Sequence, residues 1–437
     1  MISKAEFARR RKRLMGMMGA DSIAIIPSAK EVVRSRDTHF NFRQDNDFHY
    51  LCGFNEPESI LILIPGRKHG DYLMFNRELD LVKETWHGRR AGQQGVMEKF
   101  AASDAFPIDD IDDILPGLIE GRERIYCAIG NDKEFDEQIL GWLNALRGKM
   151  RGTAPHGEII DIRHFLHDMR LFKSPSEISL MRKAAQISAK AHIRAMQKTR
   201  PGINEYHIEA ELHHEFARLG ARFPAYNSIV AGGENACILH YVENQDPLMD
   251  GELLMIDAGA EFELYASDIS RTFPINGKFT DDQKELYNWV LKAQYAAIET
   301  IKPGASWSAP HEAAVKVLTK GLIEMGILKG TLRTLIKKEA YKQFYMHKTG
   351  HWLGLDVHDV GDYQVGGEPR VLEPGMVLTV EPGLYIPSNS KVPKRWKGMA
   401  VRIEDDVLVT KAGYDVLSKD APKTINDIET LMSKNRR

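Results

Sequence analysis

Five residues with metal-ligand chemistry punctuate the second half of this chain: Asp257, Asp268, His351, Glu381 and Glu404. Each sits on a short apolar run that reads as a strand. Carboxylates left alone on core strands would be very costly, so their presence there calls for compensation. Four carboxylates and one imidazole carry nearly the charge that balances two divalent cations. A two-metal hydrolytic centre is the chemistry this set suits. An oxygen-rich set with one imidazole favours Mn²⁺, Co²⁺, Fe²⁺ or Zn²⁺. Mg²⁺ and Ca²⁺ are less suited to it because of the imidazole.

The surroundings of each residue sharpen this. Asp257 follows Leu253-Leu254-Met255-Ile256, and Asp268 lies inside Tyr265–Thr272. If strands 252–258 and 263–273 pair as a hairpin, the two carboxylates face each other on one side of a sheet. Taken singly, Asp257 beside Gly259 could be a plain turn residue. His347, His351 and His358 fall within twelve residues. The odd spacing of His351 and His358 would put them on opposite faces of a regular strand, so a bend or bulge is needed to bring both to one cavity. Glu381 ends an apolar strand before Pro382-Gly383. Arg402 and Glu404 share one strand face, so Arg402 can orient a carboxylate ligand; the alternative is a surface ion pair of little value.

The elements that must position these groups fall into two parts. Up to about residue 172, short strands (22–27, 60–64, 71–75) alternate with helical stretches (107–120, 132–147), the pattern of a small α/β domain. It contains no dinucleotide fingerprint and no phosphate loop. A boundary falls near Lys173. Ser174-Pro175-Ser176-Glu177 is a helix start with a capping box, and a second helix covers about 204–219. After the expected hairpin, helices begin at Thr280, with Gln283 completing a capping box, and near Ser306–Pro310. Strands return at 352–357, 376–386 and 401–409. Helix, helix, strands, twice over, predicts an α+β domain with a curved antiparallel sheet and helices on one face, spanning 173–437.

Composition narrows the class. Lys and Arg number 59 against 61 Asp and Glu, with no long basic stripe, so nucleic acid is not an expected partner. The run Arg9–Arg13 reads as the solvated face of an amphipathic helix. Cys52, Cys127 and Cys237 are widely spaced and show no zinc or redox spacing, which fits a reducing cytoplasm. The longest apolar run, Ile60–Ile64, is too short to span a bilayer.

Taken together, IDAG (256–259), SDISRTF (267–273), HWLGLDVHD (351–359), LTVEPGLY (378–385) and VRIEDD (401–406) resemble the pita-bread metallopeptidases, and among them the aminopeptidase P (Xaa-Pro aminopeptidase) family. The stretch Phe42–Pro57 is similar to the first domain of that family. The resemblance implies a smaller N-terminal domain (1–172), a pita-bread catalytic domain (173–437), and removal of the N-terminal residue from peptides with proline second. It implies that Asp257, Asp268, His351, Glu381 and Glu404 hold two cations, usually manganese, with Asp268 and Glu404 contacting both. Glu381 would move the proton, His358 would bind the scissile carbonyl, and His240 would lie near the prolyl side. His347 would line the cleft, Tyr385 and Arg402 would support substrate binding, and Trp86 would help close the pocket, often from a neighbouring subunit. A homodimer or homotetramer is implied as well. Lys348 departs from the family pattern, which has a small residue there. Rivals on the same fold are a prolidase restricted to Xaa-Pro dipeptides, a methionine aminopeptidase, a non-catalytic peptide- or protein-binding module and a metal-free creatinase-like enzyme. Intact ligands argue against the last two.

Overall fold

Runs of aliphatic residues build the first sheet. Ser22–Pro27 (SIAIIP), Ile60–Leu63 (ILIL) and Tyr72–Asn76 (YLMFN) are buried almost end to end, as strands covered on both faces must be. The computed structural model describes residues 2–148 and 157–434. The chain divides into two units, Ile2–Met169 and Arg170–Arg437. In the first, six strands run in the order Asp104–Pro107, Tyr72–Asn76, Ile60–Leu63, Ser22–Pro27, Arg124–Cys127, Glu158–Asp161. The two central junctions around Ile60–Leu63 are antiparallel and the outer ones parallel. Helix Lys133–Arg147 covers this sheet with Phe135, Ile139, Trp142, Leu143 and Leu146, a single stripe at helical spacing.

The basic run is a correction. Helix Lys4–Met18 does form, but Arg10 and Arg11 are buried, not solvated. Arg10 donates to Glu6 and to the Tyr50 carbonyl, and Arg11 donates to the Leu51 carbonyl with its guanidinium 4.0 Å from the Tyr72 ring centre. Each aliphatic stem packs while its head finds a carbonyl, which a charge count cannot foresee.

In the second unit both capping boxes form. Helix Pro175–Lys198 is closed by Ser174 and Glu177, and helix Asp281–Ile298 by Thr280 and Gln283. Each cap satisfies two backbone N–H groups that a bare helix start leaves open. Helices Glu205–Arg218 and Ala309–Glu324 complete two helix pairs. Strands Ile229–Gly232, Leu253–Asp257 and Ser270–Pro274 follow the first pair. Strands Val377–Val380, Gly383–Ile386, Met399–Arg402 and Asp405–Thr410 follow the second. All of these pair antiparallel, and one core runs through both halves, from Phe216, Ile256 and Phe273 to Leu286, Val290, Val401 and Val407.

The strands, however, are interrupted where long ones were expected. The segment 263–273 breaks between Tyr265–Ala266 and Ser270–Pro274. The segment 376–386 breaks at Glu381-Pro382, and 401–409 at Ile403-Glu404. Residues 352–357 form no strand: Trp352 makes a single bridge to Leu378 and the chain then bends. Asp257 remains the terminal residue of its strand, and it pairs with Ser270. Small residues allow the tight passage here. A Cβ on Gly259 would meet the Ser267 carbonyl oxygen at 1.7 Å, so only glycine lets the two segments lie this close.

Candidate metal centre

The interruptions leave backbone N–H groups that must find partners elsewhere, and they do so across the sheet. The Glu404 N–H donates to the Ser270 carbonyl (3.0 Å), and the Glu381 N–H to the Thr349 carbonyl (2.7 Å). The Asp268 N–H donates to the Asp406 carboxylate (3.1 and 3.2 Å). Freed from strand alternation, these side chains turn to one cavity of about 400 Å³, lined by Asp257, Asp268, His351, Glu381 and Glu404, and by His240, His347, His358, Arg402 and Tyr226.

Within it, Asp268, His351 and Glu404 each offer a ligand atom, all within 4.8 Å of one another. His351 Nε2 lies 3.4 Å from Asp268 Oδ2 and 3.7 Å from Glu381 Oε1. His351 Nδ1 lies 2.9 Å from the Trp352 carbonyl. A carbonyl only accepts, so the proton sits on Nδ1 and the Nε2 lone pair faces the carboxylates. That is the tautomer a metal ligand needs. The bend that brings His358 beside it is real: the two imidazole centres are 4.3 Å apart.

Arg402 organises the other side. It is 3% exposed. Its Nη2 donates to Asp257 Oδ2 (2.6 Å), its Nε to Ser270 Oγ (2.9 Å) and its Nη1 to the Tyr385 hydroxyl (3.0 Å). Ser270 in turn donates to Glu404 Oε2 at 2.8 Å. The surface-pair alternative is therefore excluded. The Tyr385 hydroxyl contacts His347 Nε2 (2.8 Å), and His347 Nδ1 reaches the Lys348 carbonyl (2.7 Å). Tyr385, expected among the substrate-binding residues, is wholly buried, with its hydroxyl against His347 and Arg402. Trp86 lies on helix Leu81–His87 of the first unit and is 80% exposed. Lys348 is exposed and lines a neighbouring cavity with Trp307 and Tyr363.

The electrostatics report a surplus of negative charge. Burial raises Asp268, with the Asp257 charge adding to it. Burial and the charges of Asp268 and Asp257 raise Glu404. Burial and Glu404 push Glu381 up to about 8. Burial also works to raise Asp257, but Arg402 and Tyr226 hold its carboxyl below the usual range. One guanidinium cannot neutralise four buried carboxylates, so the protein alone must hold them partly protonated. Divalent cations are the natural substitute for those protons, and the hard oxygen donors with one imidazole fit them. Burial, aided by Arg402, drops His347 to about 4, so it is neutral.

Tyr226 was not anticipated. Its hydroxyl lies 2.6 Å from Asp257 Oδ1 and 2.5 Å from Asp268 Oδ1. It sits in an irregular stretch before Ile229–Gly232, with no periodicity to mark it. Ser270 and Asp406 were inside quoted motifs, but nothing in their spacing announced their bonds to Glu404 and Asp268.

Comparison with known proteins agrees with this geometry. Residues 179–411 match the model of metallopeptidase family M24, and residues 7–126 match the aminopeptidase P N-terminal domain. The chain belongs to metallopeptidase family M24 and is a metallo-aminopeptidase. It is 46% identical to the Xaa-Pro aminopeptidase of Escherichia coli over 100% of this chain and 99% of that one. It is 47% identical to that of Haemophilus influenzae over 99% and 98%. The structure of Pseudomonas aeruginosa aminopeptidase PepP superposes with a TM-score of 0.98 at 56% identity, covering 100% of this chain and 99% of that one. A zinc-substituted E. coli aminopeptidase P in complex with product superposes with a TM-score of 0.97 at 46% identity, again covering 100% and 99%. Family and donor set together make this a divalent-metal enzyme.

Proposed function

We propose that this chain removes the N-terminal residue from peptides whose second residue is proline, using two manganese ions held by Asp257, Asp268, His351, Glu381 and Glu404. One observation carries the reading: all five ligand candidates line a single cavity together with His240 and His358. The relatives named Xaa-Pro aminopeptidase support the substrate. The oxygen-rich donor set supports manganese.

When bound, two divalent cations supply Lewis acidity and bring the pKa of water toward neutrality. Glu381, deprotonated once cations occupy the site, would take a proton from the attacking water and pass it to the leaving proline nitrogen. His358, whose affinity for a proton is lowered by burial and by His351, is neutral and donates its one N–H to the scissile carbonyl oxygen. Proline offers no amide hydrogen and a fixed ring. His240, Leu239 and Ile229 at the cavity wall select it by shape. Arg402 and Tyr385 position Asp257 and His347, and substrate meets His347.

The chain works as a homodimer or homotetramer. Trp86 and Val82, four residues apart on one exposed helix, with the exposed Leu81 at its start, are the apolar surface that supports this. A reducing cytoplasm suits the three unpaired cysteines. No described helix is long and apolar enough to cross a membrane.

The test is a panel of Xaa-Pro peptides of increasing length with Mn²⁺-reconstituted protein. Release of arginine from Arg-Pro-Pro supports the reading. Cleavage of Gly-Pro alone would make the protein a prolidase, and cleavage of neither would refute the proposal.

A further inference from the structure

His351 and His358 reach the cavity from one loop that has no regular structure of its own. After the single bridge at Trp352, residues 354–358 are bends. Two devices hold it. The first is the Trp352 carbonyl, which accepts from His351 Nδ1–H (2.9 Å) and from the Asp359 N–H (2.8 Å). The two histidine-bearing ends are thus tied to one oxygen. The second is a buried ion cluster. Asp359 Oδ1 accepts from Arg170 Nη2 (2.7 Å), and Asp359 Oδ2 from Lys173 Nζ (2.8 Å). Arg170 also reaches Asp356 Oδ2 at 2.7 Å. The side chains of Lys173 and Asp359 are each 1% exposed, and that of Arg170 is 4% exposed.

Charges this deep are weak evidence for stability, because desolvation consumes most of their attraction. What they do supply is geometry: Asp359 cannot shift without breaking its bonds to both Arg170 and Lys173. Burial works to raise the Asp359 carboxyl, but Lys173 and Arg170 hold it below the ordinary range, so it is ionised. His358 is its immediate neighbour.

We propose that Arg170, Lys173 and Asp359 form a positioning clasp that fixes the His358 end of the 351–359 loop, so that His358 faces the scissile carbonyl. The proposal rests on the peptidase reading above and adds three residues to its machinery, none of which touches substrate.

The experiment compares wild type, Asp359→Asn, Lys173→Met and Lys173→Arg, each alone and in a His358→Ala background. Metal content, kcat and KM are measured on an Xaa-Pro peptide. In the wild-type background, Asp359→Asn and Lys173→Met lower kcat about 10–100-fold, the usual cost of removing an outer-shell partner. Metal content holds and KM changes little, and Lys173→Arg restores most of the loss. With His358 absent the same substitutions cost little more, because what they position is gone. Equal losses in both backgrounds, or a loss that follows the metal, would overturn the proposal. Gly354→Ala is the safeguard against misfolding: its Cβ would sit 2.1 Å from Asp359 Oδ2, displacing the carboxylate with every charge retained. It should reproduce the kcat loss. Wild type inactive on all Xaa-Pro peptides would sink the peptidase reading instead. The clasp is then decided by amide exchange: residues 351–359 must exchange faster in Asp359→Asn while Leu253–Asp257 does not, and unchanged exchange refutes it.

Discussion

The two units of this protein treat their strands in opposite ways. In the first unit, Ser22–Pro27, Ile60–Leu63 and Tyr72–Asn76 run unbroken in register, with apolar side chains on both faces. In the second, strands stop at Asp268, at Glu381 and at Glu404, and the freed N–H groups cross to Asp406, Thr349 and Ser270. An unbroken strand sends alternate side chains to opposite faces. Five ligands drawn from separate segments cannot converge under that constraint. The interruptions release it, and cross-sheet hydrogen bonds keep the backbone satisfied. The first unit's sheet is built for burial, and the second unit gives up ladder regularity to aim carboxylates.

If that contrast holds, substitutions in the two units fail in different currencies. The largest effect belongs to Glu381→Ala, which lowers kcat by at least about 10²–10⁴-fold, the range of a lost acid–base group. Its thermal midpoint stays near that of wild type, since the group removed is a carboxyl whose burial is itself unfavourable. Retention of most activity by metal-loaded variant would break the contrast. Next comes Ile62→Ala in the unbroken sheet. It costs about 2–5 kcal/mol of stability and leaves kcat per folded molecule unchanged, checked by denaturant melts alongside active-site titration.

Arg402→Lys comes third. It keeps a positive charge but not the fork that holds Asp257, Ser270 and Tyr385 at once. Activity drops about 10–100-fold, with weaker metal retention on dialysis. Unaltered retention and rate would deny Arg402 its organising part.

The smallest effect is a pH dependence. Glu381 near 8, with Asp268 and Glu404 also raised, means the cation-free site carries protons at neutral pH. Cations bind only the deprotonated carboxylates, so loading releases protons, and affinity weakens as pH falls below about 8. Calorimetry in two buffers of different ionisation enthalpy reads this directly. Heats independent of buffer would contradict it.

Much of the frame could be read before any coordinates. Ser174–Glu177 and Thr280–Gln283 mark helix starts because a capping box is local chemistry between residues three apart. Asp257 at its strand end follows from the apolar run before it. The breaks at Asp268, Glu381 and Glu404 were not legible, because their flanking residues are strand formers and the partners of the freed N–H groups lie far off in the chain. The missing strand at 352–357 has the same origin: its bends are held by Arg170 and Lys173, more than 180 residues earlier. Arg10 and Arg11 misled for a related reason, since a guanidinium can bury itself on carbonyls that no charge pattern displays.

The Tyr226 hydroxyl stands within reach of Asp257 and Asp268 but has one hydrogen to give. It ties the two carboxyl groups together through one oxygen, beside the ionised Asp257 and the raised Asp268. Carboxyl groups from two separate segments are thus gathered by a single phenol, with no strand ladder needed to hold them side by side.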